Sequence, residues 1–150
     1  MYKGLRLGVR AVIVRENKLL LVNAYKSGKG PELWCAPGGG VEAHNSLPEN
    51  LKREVHEETG LEVAVGPVAL VNEFHDPGLP FHQIDIFFRA EIVSGEISDE
   101  WIDPEGIVHS RRFFSAKDLE KLKTKPSTLP QIAFDPNAPV EYDPLERMIR

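Results

Sequence analysis

Glu54, Glu57 and Glu58 stand within one short run, Arg53-Glu54-Val55-His56-Glu57-Glu58, with Gly60 just beyond. Like-charge repulsion along a helix costs only a few tenths of a kcal/mol and decides little. Desolvation decides, because burying an unpaired carboxylate costs several kcal/mol even after relaxation. Carboxylates crowded at a core edge therefore need a cation or water. Oxygen ligands at this density suit a hard divalent ion, Mg²⁺ or Mn²⁺. Taken alone, the same run also reads as the solvated acidic end of a surface helix.

The element that must position these groups is a helix over Leu47 to Thr59. Ser46 caps its start, with Glu49 three residues on as in a capping box. Pro48 falls in the first turn, where its missing N–H costs little. Gly60 supplies a left-handed stop. With Glu54 at zero and about 100° per residue, Leu47, Leu51 and Val55 fall at about 20°, 60° and 100°, one apolar stripe. Glu58, at about 40°, lies inside that stripe, and Glu57, at about 300°, lies beside it. Lys52, His56 and Glu49 occupy the opposite face. The helix thus aims carboxylates toward the protein.

The stretch Gly39 to Leu61 resembles the Nudix box, the motif of the Nudix hydrolases, G-x5-E-x7-R-E-U-x-E-E-x-G-U with U a bulky aliphatic residue. Gly39, Arg53, Glu54, Val55, Glu57, Glu58, Gly60 and Leu61 fill eight of its nine specified positions. The departure is Asn45, which stands where the motif has its first Glu. A weaker resemblance of the flanks covers roughly Val9 to Leu122.

The resemblance implies that Glu54, Glu57 and Glu58 ligate Mg²⁺ or Mn²⁺, with a carbonyl of Gly38 or Gly39 added. It implies Glu54 or a later loop carboxylate as the base. Of the loop acids, Glu105 fits best by its distance ahead of the next strand, and Glu100 is second; solvation of that loop is the competing reading. Arg53, Glu54, Glu57 and Glu105 make up the implied catalytic set. Asn45 can accept from Arg53 but brings no charge, so it is expected to hold Arg53 less firmly than a carboxylate would.

Composition bounds the rest. The 150 residues are 41% hydrophobic and 27% charged, with a net charge of −5. That balance fits one globular domain, residues 1–150, and argues against a nucleic-acid duplex or an anionic membrane as partner. A phosphorylated small molecule is not excluded, because metal screens an acidic site. The single cysteine, Cys35, forbids an internal disulfide and fits a reducing, cytoplasmic compartment. Met1 to Glu16 carries no apolar run with a cleavage site, and no run approaches ~20 apolar residues.

Along the chain, alternation over Leu7 to Val14 predicts a strand with Leu7, Val9, Ala11 and Ile13 on one face. Arg10, on the other, points into a pocket or into solvent. Leu19 to Val22 and Leu33 to Ala36 read as strands, with Ser27 to Pro31 a loop between them. Trp34 reads as core rather than a substrate platform, and His44 as solvent-exposed. The glycine run lacks the spacing of a phosphate cradle and instead lets backbone pass close to metal and helix. Leu61 to Glu73 is strand-rich, and His75 to Pro80 is a loop. Pro77 stands about 16 residues past the box, near a proline that some ADP-ribose pyrophosphatases of the resembled family carry. Phe81 to Val93 is a long strand on which Asp85 either lines a pocket or contacts Gln83 or Arg89. Ser94 to Gly106 is an acidic loop, Ile107 to Phe114 a strand, and Ala116 to Lys123 a helix capped by Ser115. The proline-rich segment 124–150 is expected to wrap the surface, with at most a turn at Leu145 to Ile149.

This order predicts an α/β fold, a Nudix-like α/β/α sandwich with a mixed sheet. The implied activity is metal-dependent hydrolysis of a diphosphate linkage in a nucleoside diphosphate joined to another group, ADP-ribose or a modified nucleoside triphosphate among them. The substrate is a small nucleotide-type molecule, and a homodimer is left open. A non-catalytic nucleotide-binding module is the alternative, with Asn45 its support. Another chemistry on the same box, such as an isomerisation, is a third.

Overall fold

The computed structural model describes residues 4–23, 33–122 and 124–147. The predicted loop Ser27 to Pro31 lies outside them. Among the described residues, nine strands and three helices follow in the order β1 (Leu5–Val12), β2 (Val14–Arg15), β3 (Lys18–Asn23), β4 (Trp34–Cys35), β5 (Gly38–Gly40), α1 (Leu47–Thr59), β6 (Glu62–Asp76), β7 (Phe81–Ser94), β8 (Ser110–Ser115), α2 (Ala116–Leu119), α3 (Leu129–Ala133) and β9 (Glu141–Arg147).

The strands form two sheets where the sequence predicts one. A mixed five-stranded sheet runs β5-β1-β7-β6-β9, with β1 parallel to β7 and β9 parallel to β6. The second sheet is centred on β3, which pairs with β8 along its whole length. β2 and β4 share the other edge of β3.

Helix α1 has the expected bounds, and its ends show why. The Ser46 hydroxyl accepts from the Glu49 N–H at 3.2 Å. Gly60 closes the helix at φ 77°, a conformation open to glycine, and its N–H bonds the His56 carbonyl. The predicted capping box is half made, since Glu49 turns to Lys52 at 3.9 Å. The inner stripe works as expected. Leu51 and Val55 pack with Val9, Ala11, Ile13 and Leu61 in one core. Full burial of such side chains stabilises by about 1.5–3 kcal/mol each. A second core joins Val12, Leu21, Trp34, Phe87, Phe114 and Ile132. Trp34 is buried edge-on to Phe114, as a core residue.

The C-terminal segment departs from expectation. Residues 141–147 do not wrap the surface or form a turn; they add β9 to the sheet edge beside β6. A parallel partner needs a long crossover, and the connection from β6 to β9 runs through β7, β8, α2 and α3. Arg89 on β7 holds the α3 segment by donating to the carbonyls of Ile132 and Asp135. α2 ends at Leu119, short of the predicted Lys123, which lies outside the described residues.

Candidate active site

The carboxylates meet at the α1–β5 edge. One oxygen each of Glu54, Glu57 and Glu105 lies within 4.8 Å of the other two. α1 supplies the first two. Glu105 comes from the acidic loop after β7, as the resemblance implies, and is exposed. Glu100 is not in this group. Glu57 Oε2 is buried without a hydrogen-bond partner. An ionised carboxylate oxygen in that state calls for a cation. The donor set, all oxygen, fits Mg²⁺ or Mn²⁺.

Gly39 lies directly against Glu54. A Cβ there would stand 2.5 Å from Glu54 Oε2. Only glycine lets the β5 backbone approach the carboxylate so closely. Glu58 stands apart from the three-carboxylate cluster. Its Oε1 accepts from the Gly38 N–H at 2.9 Å, so as placed it braces the glycine strand. Burial pushes the Glu58 carboxyl up to about 8, against the pull of the Gly38 N–H and Arg10. Glu54 is also raised, first by burial and then by Glu57 and Glu105, with Arg53 opposing.

Arg53 bridges the cluster, bonding Glu54 Oε1 at 3.1 Å and Glu57 Oε1 at 3.4 Å. Its other nitrogen donates to Asn50 Oδ1 at 3.2 Å and lies 3.8 Å from Glu42. Asn45 was expected at this post. Its side chain is exposed, and its contribution is a main-chain carbonyl accepting from Asn50 Nδ2 at 3.1 Å. Asn50 is the buttress. It is buried and also accepts from the Glu42 N–H while donating to the Ser46 carbonyl.

Three further residues hold the Glu105 loop. The Trp101 indole N–H donates to the Glu57 carbonyl at 2.9 Å. Asp103, buried, accepts from the N–H groups of Glu105, Ile107 and Val108. Arg111 on β8 donates to the carbonyls of Glu58 and Ser98. His56 is exposed on the outer face, as its wheel position implies, and its ring also lies edge-on to Trp101, centroids 5.4 Å apart. His44 is exposed at φ 76°.

A cavity of about 200 Å³ opens beside this centre, lined by Arg10, Asn72, Phe74, Asp85, Phe87, Lys125 and Glu146 among others. Arg10 points into it and pairs with Asp85 at 3.3 Å. It also donates to the Ala36 carbonyl at 3.0 Å, just ahead of the glycines. Burial works against this guanidinium, but Asp85, Cys35 and Glu58 outweigh it and hold it charged. Both readings of Asp85 hold, since it lines the cavity and accepts from Gln83 at 2.7 Å. Burial, partly offset by Arg10, raises the Cys35 thiol.

Fold and site together define an α/β/α protein with a carboxylate cluster beside an open cavity. The chain belongs to the Nudix hydrolase family: the model of the NUDIX domain matches residues 4–133. It is 30% identical over 124 residues to the ADP-ribose pyrophosphatase of Methanocaldococcus jannaschii, covering 81% of this chain and 69% of that one. It is 30% identical over 108 residues to human diphosphoinositol polyphosphate phosphohydrolase 3-alpha, covering 72% and 61%. Among solved structures it resembles an ADP-ribose pyrophosphatase from Streptococcus suis 89-1591, with a TM-score of 0.65, 25% identity, and 95% and 98% of the two chains covered. The chain spans about three fifths of the length of the first curated relatives it matches.

Proposed function

We propose that the protein hydrolyses a diphosphate linkage in a nucleoside diphosphate joined to another group, with Mg²⁺ or Mn²⁺ held by Glu54, Glu57 and Glu105. The observation that carries this reading is the convergence of those three carboxylates, with Glu57 Oε2 buried and unpartnered. A divalent ion, when bound, supplies charge neutralisation for the diphosphate and acidifies water. Arg53 orients Glu54 and Glu57. Glu54, whose carboxyl burial raises above its ordinary value, is the proposed proton acceptor, and Glu105 is second. The Gly39 carbonyl lies on the strand that touches Glu54 and is the proposed main-chain ligand.

ADP-ribose is the first substrate to try, because two of the similar proteins are ADP-ribose pyrophosphatases. The cavity favours this class over a highly phosphorylated inositol. Phe74, Phe87, Leu33 and Ala36 offer an apolar seat, which suits an uncharged planar or sugar group. The non-catalytic alternative rested on Asn45, and Arg53 is held without it. The lone thiol supports a reducing, cytoplasmic location; no helix among the described residues is long and apolar enough to cross a membrane.

Release of AMP from ADP-ribose with Mg²⁺, alongside other nucleoside diphosphate derivatives and a diphosphoinositol polyphosphate, tests the reading. Cleavage of a nucleotide member supports it. Failure to cleave any nucleotide with either ion overturns it.

A further inference from the structure

Glu146 reaches the cavity because of an irregularity in β9. Asn72 of β6 stands beside Asp143, and Phe74 beside Glu146. A two-residue step on β6 is thus matched by a three-residue step on β9, the extra residue falling at Pro144-Leu145. Side chains alternate along a strand, so a regular register would set Leu145 on the face of Asn72 and Phe74. Instead Leu145 is turned out, 45% exposed, and Glu146 lines the cavity. Bulges of this kind re-aim a side chain. β9 also lies outside the stretch matched by the family model.

The charges inside the cavity are already committed. Arg10 is bound to Asp85, and Lys125 to Glu146. Among the described residues, the two cations in the interior are thus each paired, and Arg147, the remaining cation of the lining, stands at the exposed edge. The interior also holds two carboxylates, and an ionised carboxylate only accepts hydrogen bonds. A hydroxyl-bearing sugar can donate to one, as acidic residues elsewhere take a ribose 2′-hydroxyl, whereas a phosphate set directly against the same carboxylate is repelled.

We propose that Glu146 is a specificity-determining residue. Its carboxylate accepts from the 2′-hydroxyl of the adenosine ribose seated in the cavity and rejects a substrate phosphorylated at that hydroxyl. The inference rests on the diphosphate-hydrolase reading of the same site.

The test compares kcat and KM for ADP-ribose and ADP-ribose 2′-phosphate, with Mg²⁺, in the wild type, Glu146→Gln and Glu146→Lys. The wild type prefers ADP-ribose, chiefly through KM. Glu146→Lys lowers that preference by about tenfold or more, the scale of one charge-assisted hydrogen bond. Glu146→Gln, which keeps the shape, falls between. Equal use of both compounds by the wild type overturns the proposal, as does a preference unchanged within about twofold in variants that melt as folded proteins. If the wild type cleaves neither compound, the hydrolase reading is what has failed. Calorimetric titration of the same two compounds in EDTA then decides the inference. Tighter wild-type binding of ADP-ribose that Glu146→Lys abolishes upholds it, and any other pattern overturns it.

Discussion

The indole nitrogen of Trp101 and the main-chain carbonyl of Glu57 are hydrogen-bonded at 2.9 Å, which ties the loop carrying Glu105 to the helix carrying the other two carboxylates. The same ring fills the space over Gly60, where a Cβ would stand 2.8 Å from it. Trp101→Phe keeps the aromatic packing and removes the donor. One such bond contributes about 1 kcal/mol, so Mn²⁺ affinity should weaken by roughly fivefold while the melting temperature changes little. Titration calorimetry reads both wild type and variant. Unchanged affinity would show that the loop holds its place without this tie.

Glu57→Gln should cut turnover by ~10²-fold or more, the scale of a lost positioned catalytic group. Metal-free stability should hold or rise, since a buried unpartnered carboxylate oxygen is replaced by a neutral amide. Lys52, exposed on the outer face, is the proper control. His56 is not, because it packs on Trp101. Equal turnover in Glu57→Gln and Lys52→Gln would reduce α1 to a helix with an acidic face.

Asn50 and Asn45 should behave oppositely. Asn50→Ala removes two part-buried hydrogen bonds, from the Glu42 N–H and from Arg53, and should cost about 1–3 kcal/mol with a drop in activity. Asn45→Glu, on an exposed side chain away from Arg53, should leave stability within about 0.5 kcal/mol. Urea melts of the two variants check this, and a large loss in Asn45→Glu would assign that side chain a role of its own.

Glu58 gives the metal-free protein a pH signature. Its carboxyl sits near 4.5 when unperturbed and at about 8 in the fold, raised by burial. A raised acid binds its proton more tightly when folded, so the unfolded chain binds fewer protons between those values and stability falls as pH rises through that window. In EDTA, wild type should lose stability relative to Glu58→Gln between pH 5 and 8. Below that window the two should converge. A stability difference independent of pH would count against a protonated Glu58.

The parts of this arrangement that were legible in the sequence are those with local causes. Ser46 and Gly60 bound α1 through hydrogen bonds to their own neighbours, so its ends are where the residues place them. Glu105 was reachable through the family resemblance. Asn50 left one trace, a position at about 320° on the helical wheel, beside Glu57. Trp101, Asp103 and Arg111 left none, since each acts by meeting backbone distant in sequence or by folding its own loop. β9 was hidden for a stronger reason. Its bulge breaks the alternation that marks a strand, and its partner β6 lies some 70 residues away.

That separation has a consequence for how the molecule is made. The carboxylates and the glycine strand all precede residue 106, whereas the wall that carries Glu146 belongs to a strand beginning at Glu141. On a ribosome, the clustered carboxylates emerge and can pack before the cavity has its last side. A chain halted before β9 would therefore keep its carboxylate cluster while leaving the neighbouring cavity open, the proposed chemistry assembled ahead of the proposed selectivity.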